Sequence, residues 1–124
     1  MKELNDITEQ IIGCAIKVHR TLGPGLLEST YEICLVHELV KLGFDVQSQL
    51  HLPVIYDGLK LDAGYRIDML VEDAIVVELK AVDALHPIHS AQLLSYLKLS
   101  EKKIGLLINF NVRMLKDGVK RLAN

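Results

Sequence analysis

Asp68, in the run Ile67-Asp68-Met69, is followed ten positions later by Glu78, and Lys80 stands two residues beyond it in Val77-Glu78-Leu79-Lys80. Both segments are otherwise apolar and strand-like. Carboxylates and an ammonium set among Val, Ile and Leu cost free energy unless something compensates them. A divalent cation compensates a carboxylate pair well, so these residue types point to a metal site. A donor pair of carboxylates suits a hard, oxygen-seeking ion such as Mg2+ or Mn2+. Such an ion keeps several waters, and a water activated there can attack phosphorus. Lys80 could orient that water, help lower its pKa or neutralise developing charge. The competing account of the same residues is a salt-bridged strand pair with no ion.

The two strands that must carry these groups can be set in register by pattern. Met69 then faces Val77, Ile67 faces Leu79 and Tyr65 faces Ala81. On the other side Asp68 meets Glu78 and Arg66 meets Lys80. A one-residue slip would mix charged and apolar faces, so this register is preferred. It needs an odd-numbered loop, most simply Glu72-Asp73-Ala74. Paired strands lie ~4.8 Å apart, close enough for Asp68 and Glu78 to share one cation, and Lys80 lies ~6.7 Å along the same face.

Around these strands the sequence predicts a helix over roughly 5–21, with Leu4, Ile7, Ile11, Cys14, Val18 and Leu22 on one apolar face. Gly23-Pro24-Gly25 ends it. A second helix is expected from about Leu27 to Leu42, with Tyr31, Leu35, Leu39 and Leu42 inward and Gly43 as its C-terminal cap. Strand signals follow over Phe44–Ile55, with Pro53 marking an edge or a start. Tyr56-Asp57-Gly58 is a turn, and Lys60–Val71 and Ala74–Val82 are consecutive strands. His86-Pro87 opens a third helix to about Leu99. Ile104–Phe110 is a buried strand, and the stretch to Asn124 is weakly patterned. The order predicts an α/β fold, a mixed central sheet flanked by helices.

Composition sets further bounds. The chain has 124 residues, the size of one domain (1–124), with 50% hydrophobic and 24% charged residues. No apolar run approaches the ~18 residues needed to cross a bilayer. Met1-Lys2-Glu3-Leu4-Asn5-Asp6 is too polar for an export signal, and two cysteines in such a chain read as free thiols, so a cytoplasmic location and no membrane are expected. Residues 1–97 carry seven Lys/Arg against fourteen Asp/Glu, whereas 98–124 carry seven against two. The basic end could meet phosphates, although Lys98, Lys102, Lys103, Lys116 and Lys120 read equally as solvated surface. The net charge of −2 argues against a large basic footprint on DNA.

Two more pairs share helix faces: Gln92 with Tyr96, and Glu28 with Tyr31. Each alone fits an ordinary helix surface, and Glu28 would favour a helix N-terminus. Gly25-Leu26-Leu27-Glu28-Ser29-Thr30-Tyr31 resembles the signature of the GxxExxY family, which is assigned to the PD-(D/E)XK nuclease superfamily. Asp68 resembles the superfamily's Asp, Glu78-Leu79-Lys80 its (D/E)-x-K, and Gln92-Leu93-Leu94-Ser95-Tyr96 the Q-x-x-x-Y motif of its RecB-like branch. Ile67 stands where the superfamily's name has Pro. The resemblance spans about residues 5–122 and implies a restriction-endonuclease-like αβββαβ core. It also implies metal binding by Asp68 and Glu78 with the Leu79 carbonyl as third ligand, and Glu28 as an outer or second-metal ligand. Lys80 would serve the nucleophilic water, Gln92 would position active-site groups or substrate, and Tyr96 would support Gln92.

The expected function is therefore metal-dependent hydrolysis of phosphodiester bonds in DNA or RNA, with Mg2+ or Mn2+ as cofactor and a homodimer or partner protein choosing the target. The alternative is a non-catalytic nucleic-acid-binding or protein-interaction module that keeps the fold. Other residues carry less. His89 could contact phosphate or water, but His86 and His89 fit a helix cap as well. Cys14, His19, Cys34 and His37 do not converge as four zinc ligands must, so Cys14 and Cys34 read as packed thiols. Gly23-Pro24-Gly25 lacks the Lys-Ser/Thr of a phosphate loop.

Overall fold

The three- and four-residue spacing of Ile7, Ile11, Cys14 and Val18 closes into helix α1, Leu4–Leu22, in a computed structural model that describes residues 3–124. Met1 and Lys2, which open the segment expected to lack an export signal, lie outside the described residues. Helix α2, Glu28–Lys41, buries Tyr31, Leu35 and Leu39. Its end is a Schellman motif: Gly43 N–H donates to Val40 O at 2.9 Å and Phe44 N–H to Leu39 O at 3.2 Å, with Gly43 at φ +86°. Leu22 and Leu42, expected inward, are exposed at 37% and 53%. Leu22 is the last residue of α1 and Leu42 the C-cap of α2, where the chain has run past the core.

The strands are β1, Val46–His51; β2, Val54–Tyr56; β3, Leu59–Leu61; β4, Arg66–Val71; and β5, Ile75–Lys80. Helix α3, Pro87–Ser100, follows, then β6, Ile104–Asn109, a 3-10 turn at Leu115–Gly118, and β7, Val119–Ala123. The sheet order is β1-β4-β5-β6-β7, with β5 and β6 parallel across the α3 crossover and the other neighbours antiparallel. No helix among the described residues is long and apolar enough to cross a membrane.

Three strand expectations need correction. The predicted strand Lys60–Val71 breaks at Asp62-Ala63-Gly64-Tyr65, where Gly64 takes φ +76°. Its first part pairs instead with β2 in a separate two-stranded hairpin turned by Asp57-Gly58. The predicted run Phe44–Ile55 is likewise two strands, parted at Leu52-Pro53. The weakly patterned C-terminus forms β7, an edge strand whose Lys120 and Arg121 are exposed. Such charges blunt further edge pairing.

The sheet separates two cores. Against α1 and α2 lie Met69, Val71, Ile75, Val77, Leu79, Leu106 and Ile108. Against α3 lie Leu52, Ile67, Leu70, Val76 and Leu107, with Leu93 and Leu97 from the helix. β6 is buried throughout and β5 through Leu79, as expected for central strands covered on both faces.

Close approach rather than backbone freedom explains Gly118. A Cβ there would strike the Asn109 carbonyl and lie 3.1 Å from the Val112 side chain. Gly118→Ala is accordingly expected to destabilise the fold by about 1–3 kcal/mol. Urea unfolding at constant slope would measure this, and an unchanged midpoint would refute it.

Candidate active site

The predicted pairing of β4 with β5 is present at Met69–Val77, Leu70–Val76 and Val71–Ile75, with the turn at Glu72-Asp73-Ala74. The ladder then stops. Where the sequence predicted Asp68 opposite Glu78 and Ile67 opposite Leu79, side chains replace the backbone partners. Asp68 N–H donates to Glu78 Oε1 at 3.0 Å, and Leu79 N–H donates to Asp68 Oδ2 at 2.8 Å. The carboxylates thus interlock in the opening between two central strands.

This corrects the facing of Ile67. It belongs to the core under α3, whereas its expected partner Leu79 belongs to the core under α1 and α2. Carboxylates inserted between the strands part them, so β4 changes face at Asp68. Beyond that point the expected pairs Tyr65–Ala81 and Arg66–Lys80 do not form.

Glu78 is 5% exposed. Burial, followed by the negative charge of Asp68, pushes its pKa up to about 8. The Asp68 N–H and the charge of Lys80 act in the opposite direction. The Lys80 side chain is half-buried and, among the described residues, forms no hydrogen bond or ion pair. Its ammonium is therefore uncommitted.

The end of β5 is fixed by a buried asparagine that the apolar pattern of its strand conceals. Asn109 is 1% exposed; its Nδ2 donates to Val82 O at 2.9 Å and its Oδ1 accepts from Val82 N–H at 3.1 Å. Phe110 N–H closes the clamp on Lys80 O at 2.9 Å. The run Ile104–Phe110 signalled a buried strand, and an Asn within it was the available hint.

The loop between α1 and α2 explains the spacing of Gly25, Glu28 and Tyr31. Gly25 sits at φ +98°, a conformation other residues rarely adopt. Tyr31 is fully buried and stacks on Phe110 at 4.4 Å. Its hydroxyl donates to Gly23 O at 2.6 Å and accepts from Leu26 N–H at 3.1 Å. Tyr31 thus ties down the loop that starts α2. Glu28 is the first residue of that helix, exposed, and its charge reaches Glu32 one turn on.

Glu32 was missed at the sequence level, although it lies four residues from Glu28 on the same face. It is half-buried, and its pKa is raised by burial first, with added contributions from the charges of Asp68 and Glu28. Gln49 connects it to Asp68: Gln49 Nε2 donates to Glu32 Oε1 at 2.7 Å and to Asp68 Oδ1 at 3.3 Å. Nothing in the sequence pattern singled out Gln49.

Helix α3 brings Gln92 and Tyr96 in from the other side. Gln92 Nε2 donates to the Tyr96 hydroxyl at 3.1 Å. Tyr96 is 6% exposed, and its pKa is raised by burial and then by the charge of Glu78. Tyr65 meets it edge-on at 6.1 Å. These rings, with His89, Ser95 and Ile88, line a groove of about 590 Å³. His89 serves the start of α3, where its Nδ1 accepts from His86 N–H at 3.0 Å.

The residues considered for zinc lie elsewhere. Cys14 is in the core, where burial raises its thiol pKa, and His19 bonds the Val112 carbonyl at 2.7 Å. Among the described residues, no group of three or more His, Cys, Asp and Glu could hold an ion. The Asp68–Glu78 pair is a different donor set. Mg2+ is commonly held by one or two carboxylates and completes its shell with water and phosphate oxygens. Two oxygen donors, one of them poorly able to ionise without nearby positive charge, fit that demand.

A family model of the PD-(D/E)XK nuclease superfamily matches residues 5–122. The five-stranded mixed sheet flanked by helices is consistent with the restriction-endonuclease-like fold of that superfamily. No curated protein and no solved structure matches the chain significantly.

Proposed function

The chain belongs to the PD-(D/E)XK nuclease superfamily, and from that premise we propose that it is a metal-dependent nuclease hydrolysing phosphodiester bonds in DNA or RNA. Within the superfamily we assign it to the GxxExxY family with the RecB-like Q-x-x-x-Y variant. The observation that carries the reading is the interlocked pair Asp68 and Glu78 at the break in the ladder, with the uncommitted Lys80 beside it.

Asp68 and Glu78, with the Leu79 carbonyl, would hold Mg2+ or Mn2+, and Glu28 would serve as an outer or second-ion ligand. A bound cation would supply positive charge beside the scissile phosphate and make a water there more acidic. Lys80 donates toward the attacking water and offsets charge developing on the phosphate oxygens. Gln92, held by its bond to Tyr96, positions the reacting groups. The protein would act in the cytoplasm, with a second copy or another protein selecting the target.

A second reading is a non-catalytic binding module that keeps the fold. It is favoured by the hairpin β2–β3, where Ile55, Tyr56 and Leu59 are 64%, 72% and 58% exposed. End-labelled DNA and RNA, single- and double-stranded, incubated with Mg2+ or Mn2+ decide between the two. Cation-dependent cleavage that Asp68→Ala and Lys80→Ala abolish supports the nuclease. Retention of the nucleic acid without cleavage, unchanged by either substitution, supports the module.

A further inference from the structure

Gln49 stands opposite Asp68 in the register between β1 and β4, flanked by the pairs Ser48–Met69 and Leu50–Ile67. Its φ is +52°, in the left-handed region that a residue with a branched amide on a long stem rarely adopts. Both strands change face here. Val46 packs toward α1 and α2 and Leu50 toward α3, just as Met69 and Ile67 do on β4. If turning the strand were the only requirement, Gly would do it without strain and Asn with less. An observed backbone outlier beside a candidate site is a reason to ask what the side chain does there.

The side chain spans two acids. One amide nitrogen faces Glu32 Oε1 at 2.7 Å and Asp68 Oδ1 at 3.3 Å. A carboxamide nitrogen has two hydrogens, one for each carboxylate, and the reversed amide would set oxygen against oxygen. Asp68 is then held at both oxygens, Oδ1 by Gln49 and Oδ2 by the Leu79 N–H at 2.8 Å. Each carboxylate oxygen keeps a lone pair free. The plane of the carboxylate is fixed, and its open side is defined before any ligand arrives.

We infer that Gln49 is a positioning residue that orients the Asp68 carboxylate from the strained position in β1, with Glu32 as its own anchor. The significance for catalysis rests on the nuclease reading, but the orientation of Asp68 does not. Outer partners of ligating carboxylates typically contribute about 10–100-fold in metal affinity.

Two substitutions separate the amide from the kink. Gln49→Met keeps the length and removes both donors. Gln49→Gly removes the side chain and relieves the positive φ, so it separates loss of the amide from strain in the backbone. In the metal-free protein the readout is exchange of the Leu79 amide, measured against the Leu107 amide in the intact ladder between β6 and β7. Both variants are expected to speed Leu79 exchange about 10-fold relative to Leu107 and to weaken Mn2+ binding about 10–100-fold by calorimetry. Leu79 protection unchanged in both variants would overturn the assignment. Faster Leu79 exchange in a protein whose wild type takes up no Mn2+ would keep Gln49 as the orienting residue and remove the nuclease reading instead.

Discussion

Glu78→Gln is expected to raise the unfolding midpoint of the metal-free protein at pH 8 while abolishing Mn2+ binding and phosphodiester cleavage. The sign follows from the direction of the Glu78 shift. In the unfolded chain this carboxyl has the ordinary value of 4.5, and in the fold it is pushed up to about 8 by burial and by Asp68. The folded state therefore holds its proton more tightly than the unfolded state. Below the unfolded value both forms are protonated and there is no penalty. As pH rises from about 4.5 to about 8 the unfolded chain ionises first, and stability falls across that window. Gln cannot ionise, its oxygen still accepts the Asp68 N–H, and its amide donates where repulsion stood. We expect about 1–3 kcal/mol of added stability at pH 8, seen as a higher melting temperature in the presence of chelator. At pH 4 the difference should vanish. A variant less stable than wild type at pH 8 would show that Glu78 is not a strained acid. The same linkage makes cation affinity rise with pH up to about 8 in wild type, because the ion and the proton compete for Glu78.

Lys80→Ala is expected to reduce single-turnover cleavage by about 10²–10⁴-fold while leaving Mn2+ bound. Lys80 is not placed among the oxygen donors, and an ammonium cannot ligate a cation. Its charge favours the ionised form of Glu78, so its loss pushes Glu78 further up. Mn2+ binding should therefore weaken by a few-fold, about 3–5, at pH 7 and recover at higher pH. Cleavage should not recover with it. Lys80→Arg should restore the charge and most of the metal affinity but little of the rate, because a planar fork replaces a compact donor at the end of a strand held by Asn109 and Phe110. Calorimetry beside rapid-quench cleavage separates the two effects. Loss of metal binding and cleavage in equal measure would place Lys80 in the metal site's architecture and not at the water.

The acids and the lysine were legible because they interrupt apolar strands, and their register was legible as far as the alternation holds, through Met69–Val77. The pattern failed at Asp68 for a physical reason. Alternation assumes a continuous backbone ladder, and here two side-chain carboxylates take the amide hydrogens. Ile67 therefore changed core although its sequence position did not hint at it. Glu32 was within reach of a helix-face argument from Glu28. Gln49 was not, because a left-handed residue inside a strand has no composition signal. β7 escaped because Val119–Ala123 buries no residue fully, as an edge strand need not. The single strand expected over Lys60–Val71 failed on Gly64, whose positive φ breaks the run.

The proposed nuclease activity requires that Asp68 and Glu78 share one divalent cation at the break between β4 and β5. A crystal of the protein soaked in Mn2+ at pH 8, with anomalous diffraction data, tests it most directly. An anomalous peak is expected between the two carboxylates, at ~2.0–2.3 Å from an oxygen of each, and is expected to be absent in Asp68→Ala. Carboxylates that keep their bonds to the Asp68 and Leu79 amides with no peak between them, or Mn2+ seated elsewhere, would contradict it.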